Sequence, residues 1–114
     1  MSPDGTKYEG EWKENKYHGK GTLWVKGKSG KAAKQFSRLY VGEWMFGSMQ
    51  GKGIYYYNNG ETYNGNWMNG QRGGEGKMNY NSGDIYVGNW EDGKRNGLGC
   101  MYYKNGNIYE GVKS

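Results

Sequence analysis

Large aromatic residues and glycines alternate along this chain in short runs, and no stretch repeats its apolar positions at the three- and four-residue spacing a helix requires. The recurring run is Tyr-x-Gly-x-Trp, as in Tyr40, Gly42 and Trp44. Side chains alternate across an extended strand, so all three project from one face. The glycine between two large rings is expected to let an aromatic from a neighbouring strand lie across its backbone. A second strand is predicted after each Gly-x-Gly, over Gly53 to Tyr57, Gly76 to Tyr80 and Gly99 to Tyr103. The segments Asn58 to Gly60, Asn81 to Gly83 and Lys104 to Gly106 then supply the Asn and Gly that tight hairpin turns use. The connection from each Trp to the next Gly-x-Gly, such as Met68 to Gly74, reads as a return loop with a glycine of its own.

The pattern is a repeat. Tyr40, Tyr63, Tyr86 and Tyr109 stand 23 residues apart, with Gly42, Gly65, Gly88 and Gly111 two positions behind and Trp44, Trp67 and Trp90 four behind. A first copy, Tyr8, Gly10 and Trp12, lies 32 residues before the second, so nine residues are inserted between them. Repeats fall at 8–30, 40–62, 63–85 and 86–108 with a partial copy at 109–114, and the basic insertion occupies 26–39. A lone hairpin is marginal in water, so neighbouring units must stack. The expected fold is all-β: an elongated, single-layer antiparallel sheet of stacked β-hairpins, about nine strands, a thin rod rather than a ball. Four hairpins plus one N-terminal strand also read as a window on a longer array, or as a rod whose open ends meet another chain, so that homo-oligomerisation through the sheet ends is expected.

Composition makes such a fold self-consistent. Leu, Ile, Val and Phe together number only twelve, which by itself would argue for disorder, but twelve Tyr and five Trp supply the apolar surface. Twenty of the 23 glycines fall in repeat columns. The formal charge of +5 is local: Lys26, Lys28, Lys31, Lys34 and Arg38 lie in one acid-free stretch, and the remainder balances at eleven cations against eleven acids. One cysteine, Cys100, and the absence of any Asn-x-Ser/Thr acceptor point to a reducing, cytoplasmic compartment.

Chemistry of the catalytic kind has few residues to use. His18 is the sole histidine and Cys100 sits in another repeat, in a slot held elsewhere by Thr22, Ile54 and Lys77, so a nucleophile and base are not expected to meet. No ligand cluster suggests a metal, and no cofactor is implied. Gly19-Lys-Gly21 and Gly51-Lys-Gly53 mimic phosphate loops, yet Gly74-Glu-Gly76 and Gly97-Leu-Gly99 repeat the spacing without lysine, and no Lys-Ser/Thr or helix follows; backbone geometry accounts for them. Two binding surfaces remain. One face of a single-layer sheet stays uncovered, so Tyr55, Tyr57, Tyr80 and Tyr103 are candidates to line an aromatic groove for a partner helix or peptide, set against the plain reading that they are core. The basic insertion is either a solvated loop or an attractor of acidic surfaces: anionic lipid headgroups, acidic tubulin tails or an acidic protein. The balanced remainder offers no basic stripe for nucleic acid.

Residues 40–53 and 86–99 resemble MORN repeats (membrane occupation and recognition nexus), and the resemblance spans residues 3 to 112 in four successive copies. Two positions depart from the pattern: Asn15 replaces a turn glycine, which an asparagine tolerates, and Lys113 replaces the last Trp. The long basic loop also resembles that of the small stand-alone MORN proteins of testis and cilia. The resemblance implies a non-enzymatic scaffold that holds partner proteins, in a ciliary or flagellar cytoskeleton. Its competitor is a peripheral module for anionic phospholipids, as the family's name implies. MORN arrays also occur fused to kinases and methyltransferases, so the accessory region of a larger enzyme is a third reading.

Overall fold

The computed structural model describes residues 5–26 and 36–113. Within them nine strands form one open antiparallel sheet in strict sequence order: β1 (Thr6–Lys13), β2 (Lys16–Lys26), β3 (Phe36–Met45), β4 (Ser48–Tyr56), β5 (Thr62–Met68), β6 (Gln71–Asn79), β7 (Ile85–Glu91), β8 (Lys94–Tyr102) and β9 (Ile108–Lys113). The expectation of stacked hairpins in a single layer is met. The extents of 44 × 36 × 17 Å are those of a thin plate, because strands of this length make the sheet nearly as wide as the stack is long. Its radius of gyration of 15.7 Å exceeds the ~13 Å of a compact chain of about this size, as one layer must.

Register follows the glycines. Gly10, Gly21, Gly42, Gly53, Gly65, Gly76, Gly88, Gly99 and Gly111 pair in turn, one per strand, so an unbroken glycine spine crosses the sheet. The spine sets where the expected close approach of a ring falls. The nearest neighbours of a Cβ on Gly42 are the Cα of Gly53, the Lys52 carbonyl and the hydroxyl of its own strand's Tyr40, whereas the ring of Tyr40 lies over Gly53, the spine glycine of the strand that follows, as Tyr63 lies over Gly76 and Tyr86 over Gly99.

The connections are of two kinds. Phe46-Gly47, Asn69-Gly70 and Asp92-Gly93 carry positive φ at both residues (45° and 89° in the first), which makes each a two-residue turn whose twist suits a hairpin. Longer turns open at Tyr57, Tyr80 and Tyr103, each accepting a hydrogen bond from the amide of Gly60, Gly83 or Gly106 at 3.0 to 3.1 Å. The strands expected to begin at Gly53, Gly76 and Gly99 therefore start five residues earlier. The glycines that resembled loop punctuation, such as Gly51, sit in bulges where the ladder shifts between Gly42 and Trp44. Glu43 seals its bulge by accepting the Lys52 amide at 2.6 Å, and Glu11 does the same for Lys20 at 2.6 Å. The insertion is shorter than its sequence suggested: Lys26 pairs with Phe36 and Trp24 with Arg38, extending the β2–β3 ladder.

Candidate functional site

Tyr40, Tyr63 and Tyr86 are fully buried, and Trp44, Trp67 and Trp90 nearly so. One layer achieves this because a Cβ on Gly53, Gly76 or Gly99 would overlap the ring of Tyr40, Tyr63 or Tyr86 respectively, so only glycine lets the phenol lie down. The three hydroxyls then donate to the carbonyls of Glu43, Asn66 and Asn89 at 3.0, 3.0 and 3.1 Å. Each indole reaches back one repeat: Nε1 of Trp44, Trp67 and Trp90 donates at 3.1 Å to the carbonyl of Gly21, Gly53 and Gly76. Tyr63 meets Trp67 and Trp90 edge-on with centroids 5.0 and 5.2 Å apart, the geometry that ring quadrupoles favour. Burial pushes the Tyr63 hydroxyl up to about 12 against the pull of the nearby Arg72 guanidinium, and raises Tyr40 and Tyr86 as well. The repeat-column residues Tyr8, Gly10 and Trp12 belong to the same lattice at its thinner end, where Trp12 is exposed.

The tyrosines assigned to a groove separate into two groups. Tyr55, Tyr57 and Tyr80 lie half-buried against the aromatic core, while Tyr103 is exposed at the turn after β8. Two arginines absent from the sequence-based assignment join the first group. Arg72 donates to the Tyr57 hydroxyl at 3.3 Å and to the Gly93 carbonyl at 2.5 Å, and stacks 4.8 Å from the Trp90 ring. Arg95 lies over Tyr80 and Tyr86. Both stand directly opposite a repeat tryptophan, at Trp67–Arg72 and Trp90–Arg95, where the first two repeats carry Tyr17 and Met49. That column was the signal in the sequence that could have found them. Burial raises the hydroxyls of Tyr55, Tyr57 and Tyr80, and the arginines pull the latter two back.

Of the basic insertion, Lys28, Lys31 and Lys34 lie outside the described residues. Lys26 and Arg38 are strand residues at one end of the sheet, and the structure sets them beside the aromatics. A cleft of about 730 Å³ opens between the ends of β2 and β3 and the β4–β5 turn, lined by Lys26, Arg38, Leu39, Tyr55, Tyr56 and Tyr57 among others. Arg38 stacks 5.0 Å from the Tyr56 ring. Beside it, the Lys7 ammonium lies 5.0 Å from Trp24 and 4.9 Å from Phe36. Cations held against ring faces leave their charge at the surface with little side-chain entropy left to lose.

His18 is a joint between turns: its Nδ1 accepts the Phe46 amide at 3.2 Å, and its ring packs on Phe46. It lies on β2, six strands from Cys100 on β8. Among the described residues no group of three or more His, Cys, Asp or Glu side chains is placed to hold a metal. The face opposite the rings carries two grooves over the glycine spine, of about 560 and 900 Å³, meeting at Lys52. A family model described as MORN repeat matches the chain over residues 8–30, 40–62, 63–85 and 86–108. A search of the curated proteins returned no match.

Proposed function

The chain belongs to the MORN-repeat family, and from that membership we propose that it is a non-catalytic scaffold that docks an acidic partner protein. The observation carrying this reading is the cleft that Lys26 and Arg38 line together with Tyr55, Tyr56 and Tyr57. Aromatic walls supply contact area with few rotatable bonds, and the cations select for carboxylates and speed encounter. The partner class we favour is a cytoskeletal protein with an acidic segment, such as a tubulin tail, in a ciliary or flagellar assembly. Localisation in the cytoplasm at that cytoskeleton follows from the same reading.

The second reading, anionic phospholipid at the same cations, rests on Lys26 and Arg38 sharing one end of the sheet. A few charges at ~1 kcal/mol each near an anionic surface would make such binding modest and salt-sensitive. One pair of experiments separates the two. Acidic tubulin-tail peptide is titrated against the wild type and the Lys26→Glu/Arg38→Glu and Tyr57→Ala variants, and liposomes with and without acidic lipid are cosedimented at low and physiological salt. Scaffold binding predicts peptide affinity weakened about tenfold or more by the charge reversal and also by loss of the Tyr57 ring. Lipid-dependent pelleting without peptide binding would transfer the assignment to the membrane. Failure of both would remove the cleft as the site.

A further inference from the structure

The face opposite the rings changes character along the array. Between the glycines of Gly-x-Gly, the even strands carry Lys20, Lys52 and Glu75 before β8 substitutes Leu98. On β9, Val112 occupies the place that Glu11 and Glu43 hold on β1 and β3. Leu98 and Val112 pair directly and are 66% and 68% exposed, so two polar columns end in an uncovered apolar pair. Val87, Tyr102 and Ile108 extend the exposed patch across β7 to β9.

One row of this face has an order of its own. Its last four members, Lys77, Val87, Cys100 and Glu110, pair in succession from β6 to β9 and set a cation and a carboxylate on either side of an apolar centre. All but the half-buried Cys100 are exposed, and they line the 900 Å³ groove. Three strand spacings, about 14 Å, keep Lys77 from reaching Glu110 within the chain. Among the described residues neither makes an ion pair.

We propose that this face binds a second copy of the chain. A two-fold axis parallel to the strands, between β7 and β8 and midway between two facing sheets, sets β6 opposite the partner's β9 and β7 opposite the partner's β8. Each Lys77 then meets the partner's Glu110, and Val87 meets the partner's Cys100, at the ~10 Å separation of packed sheets. An isologous contact needs a surface complementary to itself. The C-terminal stretch of the row has that property, whereas its N-terminal stretch, Glu9, Thr22, Val41 and Ile54, has an acid at one end and no cation to answer it. A contact confined to four strands of one face makes the dimer weak and concentration-dependent.

Sedimentation velocity over a wide concentration range, on the wild type and on Lys77→Glu, Glu110→Lys and the double exchange, tests the charge pairing. Either single reversal should weaken self-association about tenfold, since it converts two symmetry-related attractions into repulsions, and the double exchange should restore it. Circular dichroism checks that these surface variants remain folded. Cys100 provides an independent readout. It lies one strand spacing from its counterpart across the axis, too far for a disulfide when the sheets are ~10 Å apart but within reach of a short bismaleimide. Cross-linked dimer should form in the wild type and be lost in Val87→Asp, which sets a carboxylate at the centre of the contact. A monomer at every concentration, a dimer indifferent to both single reversals, or a dimer that Cys100 cannot cross-link would each overturn the proposal.

Discussion

At the scale of single residues, the glycine spine decides whether the rings can be buried. Gly53 is the receiving surface for Tyr40: a methyl there would overlap the phenol hydroxyl and the ring carbons beside it. Gly47 has nothing within 4 Å of its missing Cβ and is constrained only by its φ of 89°. Alanine at the two sites should therefore act through different terms. Gly53→Ala is expected to cost about 3 kcal/mol, at the upper end for overpacking, because the ring must leave its seat and its bond to Glu43. Gly47→Ala should cost about 1 kcal/mol, the local penalty of a left-handed alanine. Urea denaturation of the two variants, followed by tryptophan fluorescence, checks the ordering, and equal losses would mean that the spine is merely a matter of backbone conformation. The columns of Tyr, Gly and Trp were readable because a 23-residue period exposes them. Which glycine receives which ring was not readable, since that depends on diagonal neighbours across two strands.

Among elements, the contacts that join one hairpin to the next fall on side chains the repeat does not dictate. Arg72 on β6 ties the Tyr57 turn behind it to the Gly93 turn and Trp90 ahead, spanning three successive hairpins. A guanidinium can do this because it is planar and carries several donors in a fixed fork, which an ammonium lacks. Arg72→Ala should destabilise by about 2 kcal/mol, and Arg72→Lys should recover little of it. Denaturant unfolding gives the loss. Faster amide exchange at the turn around Gly93 would localise it, and full rescue by lysine would contradict the stacked, bidentate role. Strand boundaries show the same limit on local reading. Gly51 and Gly74 look like loop punctuation, yet they lie in bulges whose outlying residues still pair. A bulge is defined by the partner strand, so neither glycine announces it in its own segment.

For the whole molecule, the eight buried core residues among those described lie between Tyr40 and Met101, on β3 to β8. In a one-dimensional stack each unit is held by its neighbours, so protection should peak in the middle and decline towards both ends. Native-state hydrogen exchange is expected to be slowest in β3 to β8 and to open β1 and β9 first; uniform protection along the sheet would indicate a single cooperative block instead. The sequence by itself determined the all-β class, the repeat period, the hairpins and the family, because each is written in short-range alternation and in residues that only one backbone geometry tolerates. It also marked the basic insertion and the tyrosines as separate candidates for binding. Only the tertiary structure joined Lys26 and Arg38 to Tyr55, Tyr56 and Tyr57 in one cleft, recruited Arg72 and Arg95 to the aromatic face, and aligned Lys77, Val87, Cys100 and Glu110 into a row. The physical reason is that such neighbours are set by register between strands, and a shift of one residue in any of those pairings would have turned each side chain to the opposite face.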